Sequence, residues 1–288
     1  MKTNNLVSDI LRGPWLVNPA SVQQYEKLAN LYLSGQYKGA EINRTEILAA
    51  ASSTGAMPGQ PKQEEKRIGR LSMRGVIPAY GDLCVLGADD YLQILRAYNQ
   101  NSSVSAIVID MDVNGSSVSA MNMMKEFADE KQKPIVTLAN TAYSGGYWTA
   151  ALLSDHVMAY GDISSGFGSI GVLSMVADYR KAMEKEGFKV MIIRAPQSTT
   201  KAQAMVDFNE GRDEEFIAEM QREMKPMADA FIKDVKALRP NVDEKAEGIF
   251  TGSVYNAKEA LKYGLIDSIG NEKKAFELAK ALAELNEN

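Results

Sequence analysis

At 288 residues the chain exceeds one average domain and falls short of two, and 45% apolar with 24% charged residues is enough to bury a core, which excludes a wholly disordered chain. The net charge of −5 is spread without a basic stripe, so a nucleic-acid partner is not expected. A single cysteine, Cys84, and a single histidine, His156, exclude an intrachain disulfide and a Cys/His zinc site.

The opening, Met1 to Gly13, lacks the unbroken apolar stretch of a signal peptide, and no segment reaches the roughly 20 apolar residues of a membrane helix. A cytosolic protein without a membrane anchor is expected. From Pro19 to about Gln36, Val22, Leu28, Leu31 and Leu33 suggest an amphipathic helix, and a second short one follows Arg44. Residues 1–51 are thus expected to form a helical N-terminal extension. The run from Ser52 to Lys66 has Gly, Pro and charge but little to bury, and is a linker.

From Arg67 to the end, strands alternate with helices. Arg67 to Ile77 is a strand broken by Gly75, and Asp89 to Asn99 a helix. Val104 to Asp110 is a continuous apolar run, as in a strand buried on both faces. Ser117 to Glu130 is helical, Pro134 to Ala139 a strand, Ser144 to Leu153 a helix, and Val157 to Tyr160 and Lys189 to Arg194 further strands. Asp213 to Leu238 and Glu272 to Leu285 form a helical C-terminal part. The class is α/β, with repeated parallel βα units whose ligands lie beyond the carboxyl ends of the strands.

Ser144 stands in Ala142-Tyr-Ser-Gly-Gly-Tyr-Trp148, where a strand gives way to an apolar helix. It is either the N-cap of that helix or a nucleophile exposed at the strand-to-helix turn, with the Gly145 amide free to donate. Val113 to Val118 (VNGSSV) follows the buried strand and is either an ordinary turn or a loop whose amides build an oxyanion hole over the same edge. His156 lies inside an apparent strand, which argues against a Ser-His-Asp triad. A lysine can replace histidine as base if burial favours its neutral amine. Lys201, in the uncharged stretch Ala195 to Met205, is the candidate, against the ordinary reading of a solvated surface lysine.

Gly166-Phe-Gly168-Ser-Ile-Gly171 satisfies G-x-G-x-x-G, but Val172 to Val176 after it looks extended rather than helical, so dinucleotide binding is rejected. Gly166, Phe167 and Gly168 better suit an edge along which a peptide substrate lies as an added strand. Met220, Met224 and Met227, at helical spacing, suit core or subunit packing, and Cys84 a small apolar residue. The Met-bearing helix and an exposed Leu83 to Leu86 suggest a homo-oligomer.

These pieces, in this order, resemble the signal peptide peptidase A family, Ser–Lys peptidases of the Clp/crotonase superfamily. SGGYW at Ser144 is similar to the family's nucleophile motif, and SSGFGSIGV from Ser164 to its glycine-rich segment. Val113 to Val118 corresponds to S-P-G-G-x-V, with Asn114-Gly115-Ser116 in place of Pro-Gly-Gly. Ser198-Thr-Thr-Lys201 stands where G-x-x-K is expected, without its glycine. Phe231 to Arg239 and Phe250 to Gly270 match the carboxyl-terminal pattern. The resemblance covers Arg67 to the end. It implies a Clp protease/crotonase-like domain over 67–288 and a serine endopeptidase with Ser144 as nucleophile and Lys201 as base. Ser169 would hold the lysine, and Gly145 with Gly115 or Ser116 would form the oxyanion hole, with no metal or cofactor. The opening Gly13 to Pro19 is similar to the phage and prophage branch, which implies a capsid or scaffold protein as substrate and a bacterial cytosol or prohead as location. A non-catalytic assembly protein and a crotonase-type acyl-CoA enzyme are the alternatives on the same fold.

Overall fold

A computed structural model describes residues 15–17, 34, 66–82 and 85–286. The expected helices around 20–36 and after 44, nearly all of the linker, and Leu83 and Cys84 lie outside these residues. Within the stretch expected to be helical, Trp15–Val17 forms a strand, β1.

The sheet is built on β2 (Arg67–Ile77), β3 (Val104–Ser117), β4 (Ile135–Tyr143) and β5 (His156–Tyr160), each parallel to the next. β8 (Ser268–Gly270) extends it parallel to β5. Each strand hands over to a helix: α1 (Ala88–Gln100) after β2, α2 (Val118–Glu130) after β3, α3 (Gly145–Leu153) after β4. The α/β class of repeated βα units is as the sequence indicates. Gly75, at φ +79, bulges β2 and shifts its register against β3 without ending it.

Alternation along the central strands shows why they read as unbroken apolar runs. Ile107, Ile109 and Met111 of β3 face the main core with α1, α2 and α3. Ala106 and Val108 face the other way, joining Val136, Leu138 and Met158. That second face is covered by α8 (Glu272–Asn286), whose Ala275, Ala279 and Ala283 recur every four residues and let the helix lie close. Both faces are dry, as a parallel sheet requires.

The remaining elements are α4 (Arg180–Lys185), α5 (Gln203–Asn209), α6 (Asp213–Leu238) and α7 (Ala257–Lys262), with the short strands β6 (Gly166–Gly168) and β7 (Val254–Asn256). α6 docks through Trp148 of α3, which stacks on Phe231 at 4.6 Å between centroids and donates Nε1–H to Asp234 at 2.9 Å. Such a stack contributes about 1 kcal/mol beyond its buried area. Lys189 to Arg194, expected as a strand, forms none: the run pairs with no strand among the described residues and is mostly exposed. Leu86, expected to be exposed, packs against the core.

Where α6 ends, Arg239 makes a bidentate pair with Asp267, at 2.9 and 2.7 Å, and Asp267 also accepts the Val157 amide. Burial alone would raise the Asp267 pKa, but the hydrogen bonds from Arg239 and Val157 outweigh it and hold the carboxyl below its usual range. Burial lowers the pKa of His156, whose ring shares a 2.7 Å hydrogen bond with Ser268. Both folded-state values are depressed, so both contributions to stability are present at neutral pH and lost on acidification. His156 begins to act below about pH 6.5, and Asp267 at and below the ordinary carboxylate range. Denaturant melts from about pH 8 to about pH 2.5 should show stability falling through both ranges. Asp267→Asn should cost about 3 kcal/mol at pH 7, because it leaves Arg239 buried without its counter-charge, and should flatten the lower part of the curve.

Candidate active site

Two consecutive glycines bring the start of α3 onto β3. A β carbon at Gly145 would lie 2.7 Å from the Ser116 backbone nitrogen and would overlap Ser116 Oγ. One at Gly146 would lie 2.6 Å from the Val113 carbonyl oxygen. No side chain fits at either position, so the Ser-Gly-Gly sequence is what seats the helix end against Val113 to Ser116. Ser144 is thereby placed beside Ser116, at the carboxyl end of β4.

The choice between cap and nucleophile turns on the Ser144 side chain. Ser144 occupies the N-cap position, yet its hydroxyl makes no capping hydrogen bond. The backbone is at φ +53, ψ −122, outside the region serine prefers, at a cost of about 1–3 kcal/mol. The local fold maintains that geometry: the Ser144 amide donates to the Gly168 carbonyl at 2.7 Å, and the Trp148 amide donates to the Ser144 carbonyl at 3.0 Å. Oγ turns toward the Gly171 carbonyl, 3.4 Å away. A serine held in a left-handed conformation at a strand-to-helix turn, with its hydroxyl spared from capping, has the form of a nucleophile elbow.

Val113 to Ser117 is strand, not the loop expected of Asn-Gly, because β2 continues beside it and pairs Val76 with Gly115 and Ile77 with Ser116. The amide nitrogen of Ser116 is nonetheless next to Gly145. Ser116 is fully buried, and its Oγ has no hydrogen-bond partner among the described residues.

The glycine-rich segment forms the opposite wall. Both edges of β6 are occupied, by β4 (Ala142 beside Phe167) and by β7 (Phe167 beside Tyr255), so 166–168 offers no open edge for a peptide. Phe167 is completely buried, and a side chain at Gly166 would overlap the Tyr143 hydroxyl. These residues support the wall from behind. Ser169, at φ +56 and buried, donates its amide to the Ser253 carbonyl at 2.7 Å. The Gly171 carbonyl, from the glycine-rich segment, and Ser253, which nothing local in the sequence marks, thus join the site. No helix follows Gly171 directly; the chain is irregular to Tyr179, as the rejection of dinucleotide binding requires.

Lys201 is exposed, and among the described residues its side chain makes no hydrogen bond or ion pair. The desolvated setting expected from its uncharged neighbours is not present within the single chain. The segment around it is fastened by Arg194, which donates to Gln203, and by the buried Asp207, which accepts from Gln203 and Arg212. The same segment bares Phe188, Met191 and Ile193, the last 87% exposed. His156 pairs with Val136 at the start of β4, while Ser144 follows the end of that strand. Eight residues at strand rise set the two about 26 Å apart, too far for a triad.

A family model described as Peptidase family S49 matches residues 126–286. The chain is 28% identical over 235 residues to a putative signal peptide peptidase SppA of Enterococcus faecium, covering 77% of this chain and 65% of that one. It is 26% identical over 200 residues to Protease 4 of Haemophilus influenzae, covering 68% of this chain and 31% of that one. The chain therefore spans less than two thirds of either relative. Among solved structures, the 1510-N membrane-bound stomatin-specific protease superposes with a TM-score of 0.48 at 18% identity, over 75% of this chain and 84% of that one. Among the described residues no helix is long and apolar enough to cross a membrane.

Proposed function

The chain belongs to peptidase family S49, and from that premise we propose that it is a serine endopeptidase acting through a Ser–Lys dyad. Ser144 Oγ attacks the scissile carbonyl, neutral Lys201 takes its proton and returns it to the leaving amine, and water releases the acyl-enzyme. Ser169 holds the lysine. The Gly145 amide and one from Gly115 or Ser116 stabilise the oxyanion, at about 3 kcal/mol per donor. The peptidase unit spans 67–288, after an N-terminal extension and linker, and no metal or cofactor takes part.

The observation that carries this reading is Ser144 itself, with a strained backbone and a hydroxyl that makes no capping bond, followed by a glycine whose close approach to Ser116 no side chain would allow. The lysine enters as the candidate base in a chain whose one histidine is remote. Its exposure, together with the bare apolar residues around it, supports a homo-oligomer in which a second copy covers 175–205 and removes the amine from water. The substrate is a protein, and the resemblance of Gly13 to Pro19 to phage members favours a capsid or scaffold protein, cut in the host cytosol or prohead.

A fluorophosphonate should label the wild-type protein on Ser144 and leave Ser144→Ala unlabelled, read by peptide mass spectrometry. Labelling that persists in the mutant removes Ser144 from the mechanism, and no labelling of either favours a non-catalytic assembly protein.

A further inference from the structure

β3 has two edges. Near Gly115 and Ser116 one edge is taken by β2, and the other, which β4 covers as far as Val113, is released because β4 turns away into Ser144 and α3. β1 lies there. It runs antiparallel to β3, with Trp15 opposite Ser117, Leu16 opposite Ser116 and Val17 opposite Gly115, and it comes within 8 Å of α3, Cα to Cα. The three residues thus lie beside the oxyanion segment and near the helix that starts at the nucleophile. Leu16 is in register with Ser116, the residue that touches Gly145.

Ser144 is 1% exposed and Ser116 0%. A nucleophile so covered meets no peptide from solution unless something moves. An extended peptide recognised by strand addition needs a free edge of backbone N–H and C=O groups. β6 has none, and the edge of β3 at 115–117 is already filled by the chain's own residues. The pairing is only three residues long, and Pro14 and Pro19 close by supply no N–H to lengthen it. A strand of that size is held weakly enough to be displaced.

We propose that Trp15–Val17 occupies the place of the substrate strand, so that the chain's own N-terminal segment blocks the site as a pseudosubstrate, and that the cleft takes extended apolar peptides of this kind. This rests on Ser144, Gly145 and Ser116 being the peptide-cleaving site. It identifies the edge that recognises substrate as β3, and makes activity depend on release of β1.

The test uses full-length protein carrying Leu16→Pro, which removes the amide at the centre of the pairing. The rate of fluorophosphonate labelling at Ser144 should rise about tenfold or more, as it would if β1 filled the cleft nine-tenths of the time. Hydrogen exchange of residues 113–118 should rise with it. Adding the synthetic peptide of residues 13–19 (GPWLVNP) to the variant should slow both again. Equal labelling and unchanged exchange in wild type and variant overturn the proposal. If neither protein is labelled while exchange still rises and is reversed by the peptide, the strand assignment holds and the assignment of Ser144 as nucleophile fails. Val17→Pro serves as a second variant should Leu16→Pro lose its thermal transition; loss of fold in both overturns the proposal, because it makes β1 part of the core.

Discussion

Gly145→Ala should lose at least a hundredfold in labelling and peptide cleavage while the chain remains folded. The new methyl group would stand 2.7 Å from the Ser116 nitrogen and 2.9 Å from Ser116 Cβ, in addition to overlapping Oγ. Two of those three neighbours are fixed parts of β3, so rotating the serine side chain does not relieve the contact. The first turn of α3 must move off the strand, carrying with it both the Gly145 amide and Ser144. On the proposed mechanism, loss of one oxyanion donor costs about 10²–10³ in turnover, and displacement of the nucleophile adds to that. Overpacking of this kind costs about 1–3 kcal/mol of stability, a cost spread over a helix that also holds α6 through Trp148. Activity should therefore fall much further than the thermal midpoint. Gly145→Ala combined with Ser116→Gly should recover only part of the loss, since the clash with the backbone nitrogen remains. Near-normal activity in Gly145→Ala would show that the close approach of α3 to β3 has no part in catalysis.

The same contact explains how much of the site was legible in the sequence. Ser-Gly-Gly at a strand-to-helix turn signals a place where backbones approach, and that signal is local. The central strands were legible for a similar reason: with both faces of β3 and β4 buried, their residues are apolar without alternation. α6 begins and ends where its pattern does, at Asp213 and Leu238. What failed depended on distant partners. Asn114-Gly115 has turn chemistry, but β2 on one side and β1 on the other hold it extended. Gly166 to Gly168 looked like an open edge because β7, which closes it, follows far along the chain. Lys189 to Arg194 has the composition of a strand and no partner to make it one. The uncharged stretch around Lys201 pointed to a desolvated amine that the single chain does not provide, and its role depends on what covers it.

That dependence makes Lys201 the residue whose substitution tells most. Lys201→Ala should lose nearly as much activity as Ser144→Ala, since a serine without a base is a poor nucleophile at neutral pH. Lys201→Arg should do no better, because a guanidinium keeps its proton at any working pH. In the wild type, activity should rise with pH, as the neutral amine is the active form. The lysine is exposed in the single chain, whereas the proposed role needs it taken out of water. Burial by a second copy would correct this, and Phe188, Met191 and Ile193 on the same segment supply the apolar surface for it. Ile193→Asp, on the segment that carries Lys201 but not itself a proposed catalytic group, should then lower the sedimentation coefficient to that of a 31.5 kDa species and take activity down with it. His156→Ala should leave activity almost unchanged, given its distance from Ser144. A fully active Lys201→Ala would remove the dyad, and an inactive but folded His156→Ala would restore the triad that the geometry of β4 argues against.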